Sequence, residues 1–222
     1  MRIDFPDLRK LDETTVRASV GVVQRLSEAD LDRPTPCAQW HLGDLLAHMT
    51  VQHLGFAAAA AGHGADPGLW RPRPSPEDSA GAVLLPAPGP PDGAENPGPF
   101  RAYARAAGKV LAAFAPDDVL DREFALPEVS TAHTVPGRTA IEFHFVDYVV
   151  HGWDVARSVG VAWQLPDEVL RAALPIAEAV PDGAARLAEG AAFGPRQPEP
   201  DDDDLLGRIL ALLGRAPDWT PA

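Results

Sequence analysis

The chain has 222 residues, a formal net charge of −13 and a 45% share of hydrophobic residues, which suits one globular domain of moderate size. The negative charge repels phosphate backbones, so we expect no nucleic-acid partner. No apolar run is long enough to span a bilayer, and the first residues lack the apolar segment of a secretory signal, so no membrane association is expected. The single cysteine cannot form an internal disulfide, which favours a cytoplasmic protein.

The first half of the chain predicts two helices and a long loop. Apolar residues at three- to five-residue spacing indicate a helix over about residues 5–30, and a second apolar stripe indicates a helix over about residues 41–61. Residues 62–99 are dense in proline and glycine and predict a loop that Trp70 and Val83–Leu85 tether to the surface. Loops of this length often act as lids or binding loops, so a lid is one hypothesis for this segment.

The second half predicts further helices with one irregular segment. We expect helices over about 100–114, 138–159, 167–179 and 205–213, a short piece after Pro181, and an irregular stretch with one short extended piece over 116–136. The fold class is therefore mostly α, with a four-helix bundle as the expected architecture. We expect residues 1–160 to form the bundle and residues 161–222 to form a helical extension packed on it.

Titratable residues lie on one face of the helix over 138–159, which contains the stretch EFHFVDYVVHGWDVARSVG. His144, Asp147 and His151 share a face at three- and four-residue spacing, and Asp154 continues the same stripe. Because burial of an unpaired polar group costs about 1–3 kcal/mol, such groups on an otherwise apolar helix need partners or a function.

These residues suggest a divalent-metal site. Asp147 and His151 can chelate a cation from one helix, and His48 is the best-placed residue on another helix to supply a third ligand. Two imidazoles and one carboxylate leave coordination positions open, as in reactive metal sites. Asp44, one turn before His48, and Asp154, near His151, are candidates to orient the two imidazoles from behind.

Other interpretations of these residues stay open. A histidine on an apolar helix face is commonly a hydrogen-bonded core residue, and this reading applies to His48 until a partner is found. Cys37 is either a nucleophile or, as we expect, a small buried side chain in the turn before the second helix. The sequence contains neither a glycine-rich phosphate loop nor a GxSxG elbow, so nucleotide-binding and serine-hydrolase functions lack support.

Three separated stretches resemble one known family. TPCAQWHLGDLLAHMT (35–50) and VVHGWDVARSVG (149–160) resemble two signatures of the mycothiol-dependent maleylpyruvate isomerase-like proteins, within the DinB/YfiT-like superfamily. FGPRQPEPDDDDLLGRILALLGRAPDW (193–219) resembles the ending of an actinobacterial branch of uncharacterised, metal-binding members. The motifs occur in the family's order, and the proline- and glycine-rich loop lies outside the resemblance.

The resemblance implies a DinB-like four-helix bundle and a divalent metal, typically zinc. By position its ligands would be His48, Asp147 and His151. It further implies a small-molecule thiol, mycothiol or a similar compound, as cosubstrate. Members of the family carry glutamate where Asp147 stands, so His144 and Glu142 are alternate ligands. A serine or threonine is usual where His41 stands, and the isomerase has a larger C-terminal region.

Three functional hypotheses follow. The leading one is a metal-dependent, thiol-using transferase or isomerase that acts on an unassigned small molecule. A non-catalytic small-molecule-binding protein and a metal-assisted hydrolase are the alternatives, the latter with Asp44 or Glu142 as general base. Monomeric and homodimeric states both fit the sequence.

Overall fold

The computed structural model describes residues 7–37, 40–71, 98–188, 191–200 and 203–221. Within these ranges the chain forms six α-helices and one short two-stranded ribbon. The elements are α1 (Leu8–Val23), α2 (Leu42–Ala60), α3 (Gly98–Phe114), β1 (Glu123–Phe124), β2 (Val135–Pro136), α4 (Gly137–Ser158), α5 (Asp167–Ala179) and α6 (Leu205–Leu212). The predicted mostly α, DinB-like fold is confirmed.

The four bundle helices are α1, α2, α3 and α4. The helix α1 packs on α3 and α4, and α2 also packs on α3 and α4, so that the four helices surround one apolar core. The helix α4 is buried along almost its whole length. Its polar groups therefore have to find partners inside the protein.

The first helix ends earlier than its periodicity predicts. The Asp7 side chain accepts a hydrogen bond from the Arg9 amide at the start of α1, and α1 ends at Val23 rather than near residue 30. Ser27 and Asp30 explain the difference, because the Ser27 amide and hydroxyl both donate to the Asp30 carboxylate. This local pairing caps a separate 3₁₀ turn over Glu28–Asp30.

The segment between α3 and α4 holds the ribbon. β1 and β2 pair antiparallel, with Glu123 opposite Pro136 and Phe124 opposite Val135. The predicted irregular stretch over 116–136 is thus correct except that it contains two short extended pieces rather than one. Because β2 leads directly into Gly137, the ribbon fixes the point at which α4 enters the bundle.

The C-terminal helices pack on the bundle. The helix α5 contacts α4 and α1, and α6 packs on α5. At the start of α6 the Asp204 carboxylate accepts from the Gly207 amide, as expected of an acidic residue at a helix N-terminus. A 3₁₀ turn over Ala184–Leu187 corresponds to the short piece predicted after Pro181. The division into two parts near residue 160 stays a prediction.

The start of the proline- and glycine-rich loop covers one face of α2. Trp70 is buried, packs edge-on against Phe56, and donates its indole N–H to the Gly64 carbonyl at 2.9 Å. This contact is the tether predicted at Trp70, whereas the second predicted tether, Val83–Leu85, lies outside the described residues. None of the helices in the described ranges is long and apolar enough to cross a membrane.

Candidate metal centre

Two helices bring three candidate ligands together. His48 projects from α2, while Asp147 and His151 lie one turn apart on α4. One donor atom from each residue lies within 4.8 Å of the other two. The Nε2 atom of His151 is 3.4 Å from Oδ1 of Asp147, and the rings of His48 and His151 meet at a centroid distance of 5.3 Å. The structure thus places together the three residues that the sequence singled out.

The His48 imidazole is suited to coordinate a metal ion as an uncharged ligand. Its ring is half-buried and packs against Trp40 at a centroid distance of 4.8 Å. Burial, reinforced by the neighbouring His151, lowers the pKa of His48 to about 4. The ring is therefore uncharged at neutral pH and keeps a nitrogen lone pair available to a cation.

The His151 imidazole lies between two carboxylates. Burial on its own would lower the pKa of His151, but the charge of Asp147 and the hydrogen bond to Asp154 outweigh it and hold the pKa well above the ordinary value. The Nδ1 atom is 2.9 Å from Oδ2 of Asp154. In this arrangement Nδ1 is engaged by Asp154, and Nε2 faces Asp147 and His48.

The donor set fits a divalent transition metal. Two imidazole nitrogens and one carboxylate form a common zinc ligand set, and all three residues line the same large cavity, which would give a further ligand access. A different trio, Cys37, His151 and Asp154, is also compact. It suits a cation poorly because the Arg215 guanidinium lies 3.1 Å from the Cys37 sulfur and 3.0 Å from the Asp154 carboxylate.

The alternate ligand His144 belongs to a different cluster, so that assignment is corrected. Its Nδ1 is 2.6 Å from Asp12 Oδ1, and its Nε2 is 3.0 Å from His53 Nδ1, all inside the bundle core. The reason is distance along α4, because His144 lies seven residues, roughly 10 Å, before His151, where its neighbours are Asp12 of α1 and His53 of α2. Glu142 lines the cavity but does not belong to the compact ligand set.

The two residues expected to orient the imidazoles differ in position. Asp154 meets His151, as described above. Asp44 does not reach His48, because its carboxylate accepts from the His41 amide at 3.0 Å and its side chain is 61% exposed. Asp44 instead caps the start of α2 by accepting from the His41 backbone amide.

Cys37 both packs and makes polar contacts. Its side chain lies against the apolar core, as the prediction of a turn-packing role requires. Its sulfur also lies 3.0 Å from Oδ2 of Asp154 and 3.8 Å from Nδ1 of His151. The turn before α2 therefore contributes to the back of the candidate metal centre, which the apolar interpretation of Cys37 missed.

A cavity of about 2080 Å³ opens from the three ligands, between α4, α5 and the segment after α5. Its walls include apolar side chains such as Phe143, Val146 and Ile176. Glu128 also lines it and accepts a hydrogen bond from Gln52, which lies one turn after His48, at 2.8 Å. Burial, reinforced by the charge of Asp147, raises the pKa of Glu128. This cavity can hold a small molecule with an apolar part next to the ligands.

Sequence reasoning missed two residues of this centre, Glu128 and Arg215. Glu128 lies in an irregular segment without periodicity, so no sequence pattern marks it. Arg215 follows Gly214 at the end of the last helix, a position that by itself indicates only a favourable interaction with the helix end. Its contact with Asp154 spans 61 residues along the chain.

Fold and site together define a DinB-like helical protein with a candidate metal centre between two bundle helices. The family model described as "Mycothiol maleylpyruvate isomerase N-terminal domain" matches residues 13–156, well over half of the chain. The chain therefore belongs to this family.

The chain is also similar to solved structures and to a curated relative. The structure of a mycothiol-dependent maleylpyruvate isomerase superimposes with a TM-score of 0.51 at 17% identity, covering 78% of this chain and 68% of that chain. A histidine-to-alanine mutant of that isomerase gives the same TM-score at 16% identity. At such identities the likeness shows the fold. Uncharacterized protein Rv0738 of Mycobacterium tuberculosis is 26% identical over 198 residues, which cover 89% of this chain and 92% of the relative.

Proposed function

We propose that this protein binds one divalent metal ion, zinc or a similar ion, and uses a small-molecule thiol of the mycothiol type in a transferase or isomerase reaction. The observation that carries the proposal is the convergence of His48, Asp147 and His151 from two helices at one end of a large cavity. Membership of the mycothiol maleylpyruvate isomerase family supports the thiol. The substrate is an unassigned small molecule.

The residues would hold the metal through one nitrogen of His48, a carboxylate oxygen of Asp147 and Nε2 of His151. When bound, the metal would supply a thiolate nucleophile at neutral pH, because coordination to a dication deprotonates a thiol. Because the pKa of His151 lies well above its ordinary value, metal binding would displace the proton from its Nε2. The resulting two neutral imidazoles and one carboxylate leave a net positive charge with a divalent ion, which favours an anionic ligand.

The chain's own groups support the reaction in three ways. His48 stays neutral and available at physiological pH, because burial lowers its pKa to about 4. Asp154 engages Nδ1 of His151 and leaves Nε2 directed to the centre. Glu128 lines the cavity beside Gln52 with a raised pKa, and it can hold or accept a proton there.

Metal analysis of the purified full-length chain tests the metal part. We expect about one zinc or similar ion per chain in the wild type and in His41→Ala, a control on the same stretch whose side chain is 65% exposed. His48→Ala and His151→Ala should each lose most of the bound metal. Full occupancy in both variants would disprove the site.

Cobalt substitution tests the thiol part separately. Saturating mycothiol should change the visible absorption spectrum of the Co²⁺-loaded protein, because a sulfur ligand enters the shell. An unchanged spectrum would rule out thiol coordination while leaving the metal site intact.

Metal-assisted hydrolysis is a second candidate because Glu128 offers a carboxyl with a raised pKa in the cavity. Turnover of simple esters or amides without thiol, abolished by Glu128→Gln, would favour it. A chain that binds small molecules but never metal would point to the non-catalytic alternative.

A further inference from the structure

The Arg215 side chain grips Asp154 behind the candidate metal centre. Its Nε lies 3.0 Å from Oδ1, and its Nη2 lies 3.1 Å from Oδ2 of the same carboxylate. Asp154 is fully buried, and only 9% of the Arg215 side chain is exposed. A two-point contact between a planar guanidinium and a carboxylate fixes the orientation of both groups, which a single contact does not.

The clamped carboxylate in turn engages His151. Oδ2 of Asp154 lies 2.9 Å from Nδ1 of His151, and on the opposite side of the ring Nε2 lies 3.4 Å from Asp147. A histidine that donates from Nδ1 presents its Nε2 lone pair to a cation. The three side chains thus form a chain of contacts from Arg215 through Asp154 to His151.

The backbone hydrogen bonds at the end of α6 fix the position of Arg215 independently of its side-chain contacts. The Arg215 amide donates to the Leu210 carbonyl and the Gly214 amide to the Ala211 carbonyl, a Schellman arrangement that ends α6. It requires a left-handed residue, and Gly214 supplies it with φ of 81°. A side chain at this glycine would also lie 2.6 Å from the Gly194 carbonyl oxygen. The close of α6 therefore aims Arg215 at Asp154.

Two of the three guanidinium nitrogens of Arg215 are engaged by protein groups. Its Nη2 contacts the Cys37 sulfur at 3.1 Å in addition to Asp154, and its Nη1 contacts the Leu213 carbonyl at 3.5 Å. Arg215 also lines the cavity. The contacts through Nε and Nη2 give it a positioning role towards protein groups.

We propose that Arg215, which lies outside the segment matched by the family, is a positioning residue that acts through Asp154 to hold the His151 ring with Nε2 directed at the metal centre. The proposal rests on the proposed function for the identity of the metal site. It assigns to the C-terminal part of the chain a direct task in the bundle's candidate centre. Mutation of a residue that orients a metal-bound histidine typically weakens metal affinity by roughly 10–100-fold.

A double-mutant cycle with Co²⁺ titration of the full-length chain tests the pathway. Arg215→Met and Asp154→Asn should each weaken Co²⁺ binding roughly 10–100-fold. The double variant should bind no more weakly than Asp154→Asn alone, since Arg215 then has nothing to act through. Arg208→Met, which removes an arginine of α6 that pairs with Glu178 and Glu199, should bind as the wild type does. Additive losses, or wild-type affinity in Arg215→Met, would overturn the proposal.

Proton NMR of the metal-free chain supplies a second readout that does not depend on metal binding. The wild type should show a downfield Nδ1–H resonance that disappears in His151→Ala. It should shift or broaden in Arg215→Met and be partly restored in Arg215→Lys, which keeps the charge but not the two-point grip. The Lys variant also serves if the Met variant does not fold. A resonance unchanged in both Arg215 variants refutes the proposal. Absent Co²⁺ binding with a shifted resonance refutes the proposed function but supports the contact chain.

Discussion

Replacement of His144 by leucine should destabilise the bundle and leave the candidate metal centre in place. His144 lies in the core between two other polar residues, with Nδ1 2.6 Å from Asp12 and Nε2 3.0 Å from His53. All three side chains are fully buried. The other Asp12 oxygen, Oδ2, and the other His53 nitrogen, Nε2, have no partner among the described residues. His144 is therefore the group on which both neighbours depend.

The size of the effect follows from these contacts. Without His144, Asp12 becomes a buried carboxylate that has lost its donor, and breaking a buried pair in this way costs about 3–5 kcal/mol. His53 would also lose its partner at Nδ1. For a chain of this size each kcal/mol lowers the melting temperature by about 2–4 °C, so the expected decrease is roughly 6–20 °C.

Thermal unfolding and metal analysis together form the assay. The double variant Asp12→Leu/His144→Leu should recover much of the lost stability, because it removes the buried charge together with its partner. As a control, His133→Leu changes an exposed histidine and should alter the free energy of unfolding by about 0.5 kcal/mol or less. A folded His144→Leu protein that lost its metal would make His144 a ligand, and unchanged stability would refute the role of the buried pair.

Two further predictions concern stability. Burial, reinforced by the neighbouring His144, holds the pKa of His53 well below its ordinary value. Below about pH 6.5 the unfolded chain therefore takes up a proton that the folded chain does not. As the pH decreases through this range, the free energy of unfolding falls by up to about 1.4 kcal/mol per pH unit because of this group. Chemical denaturation from pH 7.5 to 4.5 should show a shallower decline in His53→Phe, and parallel profiles would contradict this. Gly152→Ala places a Cβ 2.3 Å from the Trp163 ring and should cost about 1–3 kcal/mol. The matched change Gly21→Ala meets no atom within 4 Å and should stabilise α1 by about 0.5–1 kcal/mol, so equal thermal shifts in the two would refute the packing argument.

The helices were predictable because each has apolar residues at helical spacing and is followed by residues that terminate a helix. The helix α5 has the predicted bounds, and α2 and α4 differ from theirs by about one residue at each end. The one large error, the end of α1, arose because apolar spacing continues past Val23, whereas the Ser27–Asp30 pairing breaks the helix. Periodicity reports which face is buried, but a local hydrogen bond decides where the helix ends.

The site was predictable only where its residues share a helix. Spacing along α4 placed Asp147, His151 and Asp154 on one face, and His48 was the best-placed residue on the second helix, a choice that the family resemblance supports. Spacing could not show that the His144 side chain meets Asp12 and His53 in the core, so His144 was retained as an alternate ligand. The grip of Arg215 on Asp154 depends on how α6 packs against the rest of the chain, and no local pattern carries that information.

Asp147, which stands where the family resemblance implies a glutamate, is compatible with the centre. An aspartate is one methylene shorter, yet its Oδ1 lies 3.4 Å from Nε2 of His151, within the compact set that includes His48. The four-residue spacing on α4 supplies this proximity, because residues one turn apart project side by side. Asp154 fixes the orientation of the His151 ring through its contact with Nδ1. The shorter side chain of Asp147 therefore lies next to a ring whose position does not depend on it. Arg215 holds the Asp154 carboxylate, and Asp154 in turn contacts the His151 ring. The C-terminal part of the chain therefore supports the ligand geometry next to Asp147, the position at which the resemblance implies a different residue.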